Sequence, residues 1–136
     1  RTVGINLFTA NKSVDKFVVD VPGYGFAKAN EQLRQKWHQF IPEYLKCAPN
    51  IYMVYVLVDS RRGIADVDND MVQYLTSINC NFSIVFTKID KLNNSEMEGL
   101  KAMATACGYN CYMVSSSKNM GDMKQLKQNV YKLLKD

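Results

Sequence analysis

The chain has 136 residues, 47% of them apolar and 22% charged, with a net charge of +4. Domains usually run about 100–200 residues, so this is the profile of one soluble globular domain. No run of about 18 apolar residues is present, no repeat of about 20–50 residues is visible, and Gly 7 with Pro 3 exclude a fibrous or low-complexity chain.

The elements follow from periodicity. Thr2 to Thr9 and Lys16 to Val21 are strand-like runs. Asn11, Lys12 and Ser13 between them supply turn chemistry, which predicts a hairpin. A loop with two glycines follows, Pro22-Gly23-Tyr24-Gly25. Leu33, Trp37, Phe40, Ile41, Tyr44 and Leu45 then recur at helical spacing. Pro42 inside that pattern predicts a kink or a fresh helix start.

Ile51 to Val58 is a continuous apolar run, as expected of a strand covered on both faces. Val67, Met71, Leu75 and Ile78 form a helical stripe, with Asp66 as its N-cap. Phe82 to Phe86 reads as another buried strand. Ser95 and Glu98 make a capping box before Leu100, Met103 and Ala104, and Gly108 suits the end of that helix. Tyr112 to Val114 is a last short strand, and Met123, Leu126, Val130, Leu133 and Leu134 line a final helix.

Strands alternating with helices imply an α/β domain with a mostly parallel sheet and helices on both faces. The opening hairpin adds an antiparallel strand at one edge. Ligands of such sheets bind at the carboxyl ends of the strands, so the residues there carry the functional reading.

The second strand ends in Asp20-Val21-Pro22-Gly23. An Asp there can hold a water on Mg²⁺, and a Gly three residues on lets backbone approach a phosphate. The third ends in Asp59, followed by Ser60-Arg61-Arg62-Gly63, which reads as a solvated basic turn. The fourth ends in Thr87-Lys88-Ile89-Asp90. A carboxylate at Asp90 can accept from both N1–H and the 2-amino group of guanine, a donor pair that adenine lacks. The Lys88 stem can lie along the base, and Thr87 can tie the loop to its neighbours. The fifth ends in Val114-Ser115-Ser116-Ser117, small residues whose N–H groups can face guanine O6. Together, in order, these elements point to a guanine nucleotide.

Cys47, Cys80, Cys107 and Cys111 form no C-x-x-C pair, and His38 is remote from them in sequence, so zinc is not expected. Cys80 and Cys107 lie in or beside apolar segments and read as core thiols, which suits a reducing compartment. The chain opens on Arg1 with no initiating Met and no signal peptide, and reads as a mature form, a fragment or a trimmed piece.

The string DVPGYGFAK, Asp20 to Lys28, resembles the D-L-P-G-Y-G-Y-A-K segment of the EngB GTPases, which act in ribosome assembly. The likeness continues through Lys36-Trp37, Glu43-Tyr44-Leu45, Val58-Asp59-Ser60-Arg61, Asp68, Thr87-Lys88-Ile89-Asp90 and Ser115-Ser116. It implies a P-loop GTPase-like fold, with residues 1–136 forming one G domain. It also implies that Arg1-Thr2 ends a switch segment, Thr2 ligating Mg²⁺ directly and Asp20 through water. Val3 stands where the family prefers Gln. The phosphate loop G-x-x-x-x-G-K-[ST], with its strand and first helix, does not occur in these residues. The resemblance thus covers roughly the C-terminal two-thirds of the family domain.

By that resemblance the reaction in a complete protein is attack of water on the γ-phosphate of GTP, with Thr2, Asp20 and Gly23 as the catalytic set. The nucleotide contacts come from Arg1, Thr2, Val3, Asp20, Val21, Pro22, Gly23, Thr87, Lys88, Ile89, Asp90, Val114, Ser115 and Ser116. Tyr24 follows Gly23 where Ras-like proteins carry Gln, so intrinsic turnover should be slow, with K⁺ or a ribosomal partner as stimulant. The expected partners are a large-subunit precursor and its rRNA, with no membrane and no DNA. Lys28, Arg34, Lys36, Arg61 and Arg62 could meet rRNA phosphates or form a solvated face. The alternative is a GTPase-like module that docks on ribosomal RNA or protein without turnover. The implied location is cytoplasmic, or mitochondrial or plastid if a targeting segment lies upstream.

Overall fold

The computed structural model describes residues 6–9, 16–20, 39, 42–45, 50–117 and 120–135. Contacts divide the chain into two compact units, one of Arg1–Pro49 with Tyr131–Asp136, the other of Asn50–Val130.

In the first unit, β1 (Asn6–Thr9) and β2 (Phe17–Asp20) form the expected antiparallel pair, with Asn6 opposite Asp20 and Thr9 opposite Phe17. Residues 42–45 are helical. Leu33, Trp37, Phe40 and Ile41, and the turn at Asn11 to Ser13, lie outside the described residues. Lys16 Nζ donates to the Leu133 carbonyl at 3.1 Å.

The second unit is built on a sheet in the order β3-β4-β5-β6: β3 (Val54–Asp59), β4 (Phe82–Thr87), β5 (Cys111–Ser115) and β6 (Met120–Gly121). The first three strands are parallel and β6 is antiparallel to β5. α1 (Asp66–Ser77), a 3-10 turn (Ile89–Lys91), α2 (Asn94–Cys107) and α3 (Met123–Lys135) complete the order. The buried apolar side chains come from β3 (Val56, Val58), β4 (Ile84, Val85, Phe86), β5 (Val114), α1 (Val72, Leu75) and α2 (Leu100), with Ile89 of the 3-10 turn. No described helix is long and apolar enough to cross a membrane.

Several boundaries differ from expectation. β4 is buried as predicted, but β3 is covered unequally on its two faces: Val56 and Val58 are buried while Leu57 is 62% exposed. The N-cap of α1 is Ala65, not Asp66, and its most buried residues are Asp68, Val72 and Leu75. The stripe shifts because Asp68 turns inward. Its carboxylate accepts from the Ala65 N–H at 2.8 Å and pairs with Arg62 at 3.0 Å, so that its charge is satisfied. The capping box of α2 is Asn93 with Glu96, two positions ahead of Ser95 and Glu98. Asn93 Oδ1 accepts from the Glu96 N–H at 2.8 Å, and Glu96 accepts from the Asn93 N–H at 3.0 Å. Gly108 caps the other end as expected, with φ 74°. The described strands form two sheets.

Candidate functional site

Parallel registry brings the carboxyl ends of β3 and β4 level, with Asp59 opposite Thr87. The Ser60 N–H donates to the Thr87 carbonyl at 3.0 Å, extending the ladder one step beyond β3. Thr87 Oγ1 donates to the Val58 carbonyl at 3.4 Å, the cross-strand tie expected of it. Phe86 pairs with Met113, which carries the end of β5 to the same rim.

Three polar residues meet across this rim. Asp90 lies in the 3-10 turn after β4, with a side chain only 6% exposed. Ser115, the last residue of β5 and fully buried, donates from Oγ to Asp90 Oδ1 at 2.8 Å. Ser117 donates to the other carboxylate oxygen at 3.3 Å. The Ser115 hydroxyl is the main cause that lowers the Asp90 pKa, with Lys91 and Ser117 adding to it. Asp90 is therefore an anion held in place by two hydroxyls, each of its oxygens keeping lone pairs for further donors.

Lys88 adopts φ 61°, the left-handed region that costs a non-Gly residue about 1–2 kcal/mol. That turn swings its Nζ to 3.4 Å from Asp59 Oδ2, leaving the lysine side chain 55% exposed. Asp59 also accepts from the Arg61 N–H at 3.0 Å and from Arg61 Nε and Nη2 at 3.1 and 2.9 Å. The Arg61 hydrogen bonds hold the Asp59 carboxyl well below the usual carboxylate range. Ile89 is core, and Val114 is buried while Ser116 is exposed.

The structure thus brings Thr87, Lys88, Ile89, Asp90, Val114, Ser115 and Ser116 together at one rim. Asp20 is an exposed carboxylate at the end of β2 in the other unit. Arg1, Thr2, Val3, Val21, Pro22 and Gly23 lie outside the described residues, as do Lys28, Arg34 and Lys36. Arg61 and Arg62 are not a free basic turn. They are engaged by Asp59 and Asp68.

Sequence reasoning placed Asp59 and Ser117 at strand ends but gave no contact of Asp59 with Lys88 or of Ser117 with Asp90. The signal for Asp59 was an acid closing an apolar strand two residues before an arginine, the spacing at which Asp hydrogen-bonds its own turn. Ser117 was visible only as the third of three serines.

No protein-family model matches the chain. It is 38% identical over 134 residues to the probable GTP-binding protein EngB of Mycoplasmopsis synoviae, covering 96% of this chain and 70% of that protein. The probable GTP-binding protein EngB of Rickettsia bellii is 36% identical, covering 99% of this chain and 64% of that protein. That of Aquifex aeolicus is 33% identical, covering 96% and 71%. The chain therefore spans about two thirds of the length of these curated relatives. A crystal structure of a probable GTP-binding protein EngB superposes with a TM-score of 0.70 at 17% identity, over 96% of this chain and 83% of that one, which shows a shared fold.

Proposed function

Because the chain belongs to the EngB family of GTP-binding proteins, we propose that it binds guanine nucleotide at the β4–β5 rim and that the complete protein hydrolyses GTP as a switch in large-subunit ribosome assembly. The observation that carries this reading is Asp90. It is a half-buried, ionised carboxylate fixed by Ser115 and Ser117, beside an exposed Lys88 held in a left-handed turn. A fixed pair of acceptors matches the N1–H and 2-amino edge of guanine. The lysine stem supplies an apolar face for the ring. Both units belong, in this reading, to one G domain.

Mg²⁺ fits the residue types present. Magnesium takes one or two carboxylates, retained waters and substrate phosphates, so a single exposed Asp20 suffices on the protein side. Among the described residues no cluster of three acidic or His/Cys side chains offers a full protein cage. Asp20 would hold the ion through water and Thr2 directly. The ion would neutralise phosphate charge while Gly23 donates its N–H to the γ-phosphate.

The ribosomal part of the proposal rests on charge. With Arg61 and Arg62 engaged, α3 offers exposed Lys124, Lys127, Lys132 and Lys135, an exposed Tyr131, and no acidic residue. Lysines that meet phosphates beside an aromatic that stacks a base suit single-stranded rRNA. Glu at these lysines should weaken RNA binding and flatten its salt dependence. Unchanged binding would place the docking surface elsewhere.

The nucleotide claim is tested by titrating the protein with GDP and with ADP while recording amide shifts. GDP should move the signals of Thr87 to Asp90 and Ser115 to Ser117, and ADP should leave them in place. Equal responses to both bases would overturn the assignment.

A further inference from the structure

A second chemically competent cluster lies away from the guanine rim, at the junction of α2 and β5. Cys107 is the last residue of α2 and Cys111 the first of β5. Gly108 between them takes φ 74°, the left-handed conformation that folds the chain back at the helix end. The reversal sets the two sulfurs 3.8 Å apart, in hydrogen-bonding contact with each other. The Ala104 carbonyl lies 3.2 Å from Cys107 Sγ and the Tyr109 carbonyl 3.4 Å from Cys111 Sγ, so the single proton of each thiol has a choice of acceptors. Both thiols are half-buried rather than in the core, where Cys107 was expected.

We propose that Cys107 and Cys111 form an oxidisable dithiol site that closes to a disulfide when it meets a low-molecular-weight disulfide such as oxidised glutathione. A disulfide bond is about 2.05 Å long, so the sulfurs must approach by roughly 1.8 Å to form it. In the first exchange the Cys107 thiolate attacks one sulfur of the glutathione disulfide, and a glutathione thiolate leaves. In the second, Cys111 attacks the Cys107 sulfur of the mixed disulfide. The second glutathione leaves and takes the Cys111 proton. The two protein thiols are oxidised by two electrons and one glutathione disulfide is reduced to two thiols. The order follows from surroundings: burial first, then the Cys107 contact, push the Cys111 thiol up to about 12, so it is protonated in neutral solution and cannot lead the attack. The product bond would staple the end of α2 to the start of β5.

The pair is convenient to read. Lys101 and Lys118 bound a tryptic peptide containing both cysteines and no other, and Cys80 serves as a control elsewhere in the chain. The folded protein is equilibrated with oxidised and reduced glutathione, quenched in acid, alkylated and digested. The peptide should lose two hydrogens and resist alkylation until it is reduced. Cys111→Ser should stop at a glutathione adduct on Cys107. The same equilibration in urea keeps the sequence spacing but removes the geometry. The constant for closure should be at least about tenfold larger in the folded protein. A constant no larger than in urea, or folded protein carrying glutathione on both cysteines without closing, would overturn the proposal. The folded-against-urea comparison uses the unaltered chain and stands even where the Ser variant does not fold.

Discussion

Lys88 holds a left-handed backbone that glycine would adopt freely, and its side chain is more than half exposed. Strain of that kind persists where the side chain is used. Lys88→Gly should therefore raise stability by about 1 kcal/mol in chemical denaturation while weakening GDP binding. A loss of stability with unchanged affinity would mean that the lysine serves the fold. Ser60 makes a related case: its Oγ is buried with no hydrogen-bond partner among the described residues. Ser60→Ala should leave stability unchanged or raise it by about 1 kcal/mol in the same assay, since an unsatisfied buried hydroxyl is costly. A clear loss would reveal a partner for the hydroxyl.

At the scale of elements, the end of β5 depends on β6. Gly121 has φ 73°, and a Cβ there would stand 2.2 Å from the Met113 carbonyl oxygen, a backbone atom that cannot yield cheaply. Asp122 locks the same turn, its N–H donating to the Met113 carbonyl at 2.7 Å and its carboxylate accepting from the Met113 N–H at 2.9 Å. Gly121→Ala should cost more than about 2 kcal/mol in denaturation midpoint analysis and displace Ser115, lowering GDP affinity with it. Wild-type stability would show that the turn relaxes.

The rim itself carries a pH dependence. Asp59 and Asp90 both titrate below their ordinary range in the folded protein. Their stabilisation is therefore fully present above about pH 4 and is lost as pH falls through the folded values. Thermal melts should show this acid limb, and Asp59→Asn should flatten it. An unaltered limb would remove Asp59 as a cause.

These elements also show what was legible in the residues. Apolar runs located β3, β4 and β5, and helical spacing located α3, because each pattern marks the side that is covered, fully in β4 and only in part in α3. β6 has two residues and no period to read. The start of α2 was misplaced because Asn93 with Glu96 and Ser95 with Glu98 share one spacing, and only the structure shows which pair bonds. The α1 stripe was displaced because it counted apolar residues, while the inward position belongs to a paired Asp68. At the site, Thr87, Asp90 and Ser115 were readable from their place at strand ends. The link from Asp59 to Lys88 depends on side-chain reach between strands, which spacing along the chain does not encode.

For the whole molecule, the residues proposed to read guanine all lie within Asn50–Val130, whereas Asp20 lies in the other unit. Base selection and phosphate chemistry are thus assigned to different parts of the chain and are separable by experiment. The direct measurement is a paired titration of Asp90→Asn and the unaltered protein with GDP and xanthosine diphosphate. An amide at position 90 places a donor where guanine also donates and suits the carbonyl that xanthine carries there. The substitution should weaken GDP binding at least about tenfold and improve binding of xanthosine diphosphate. GDP affinity unchanged by Asp90→Asn would contradict the account.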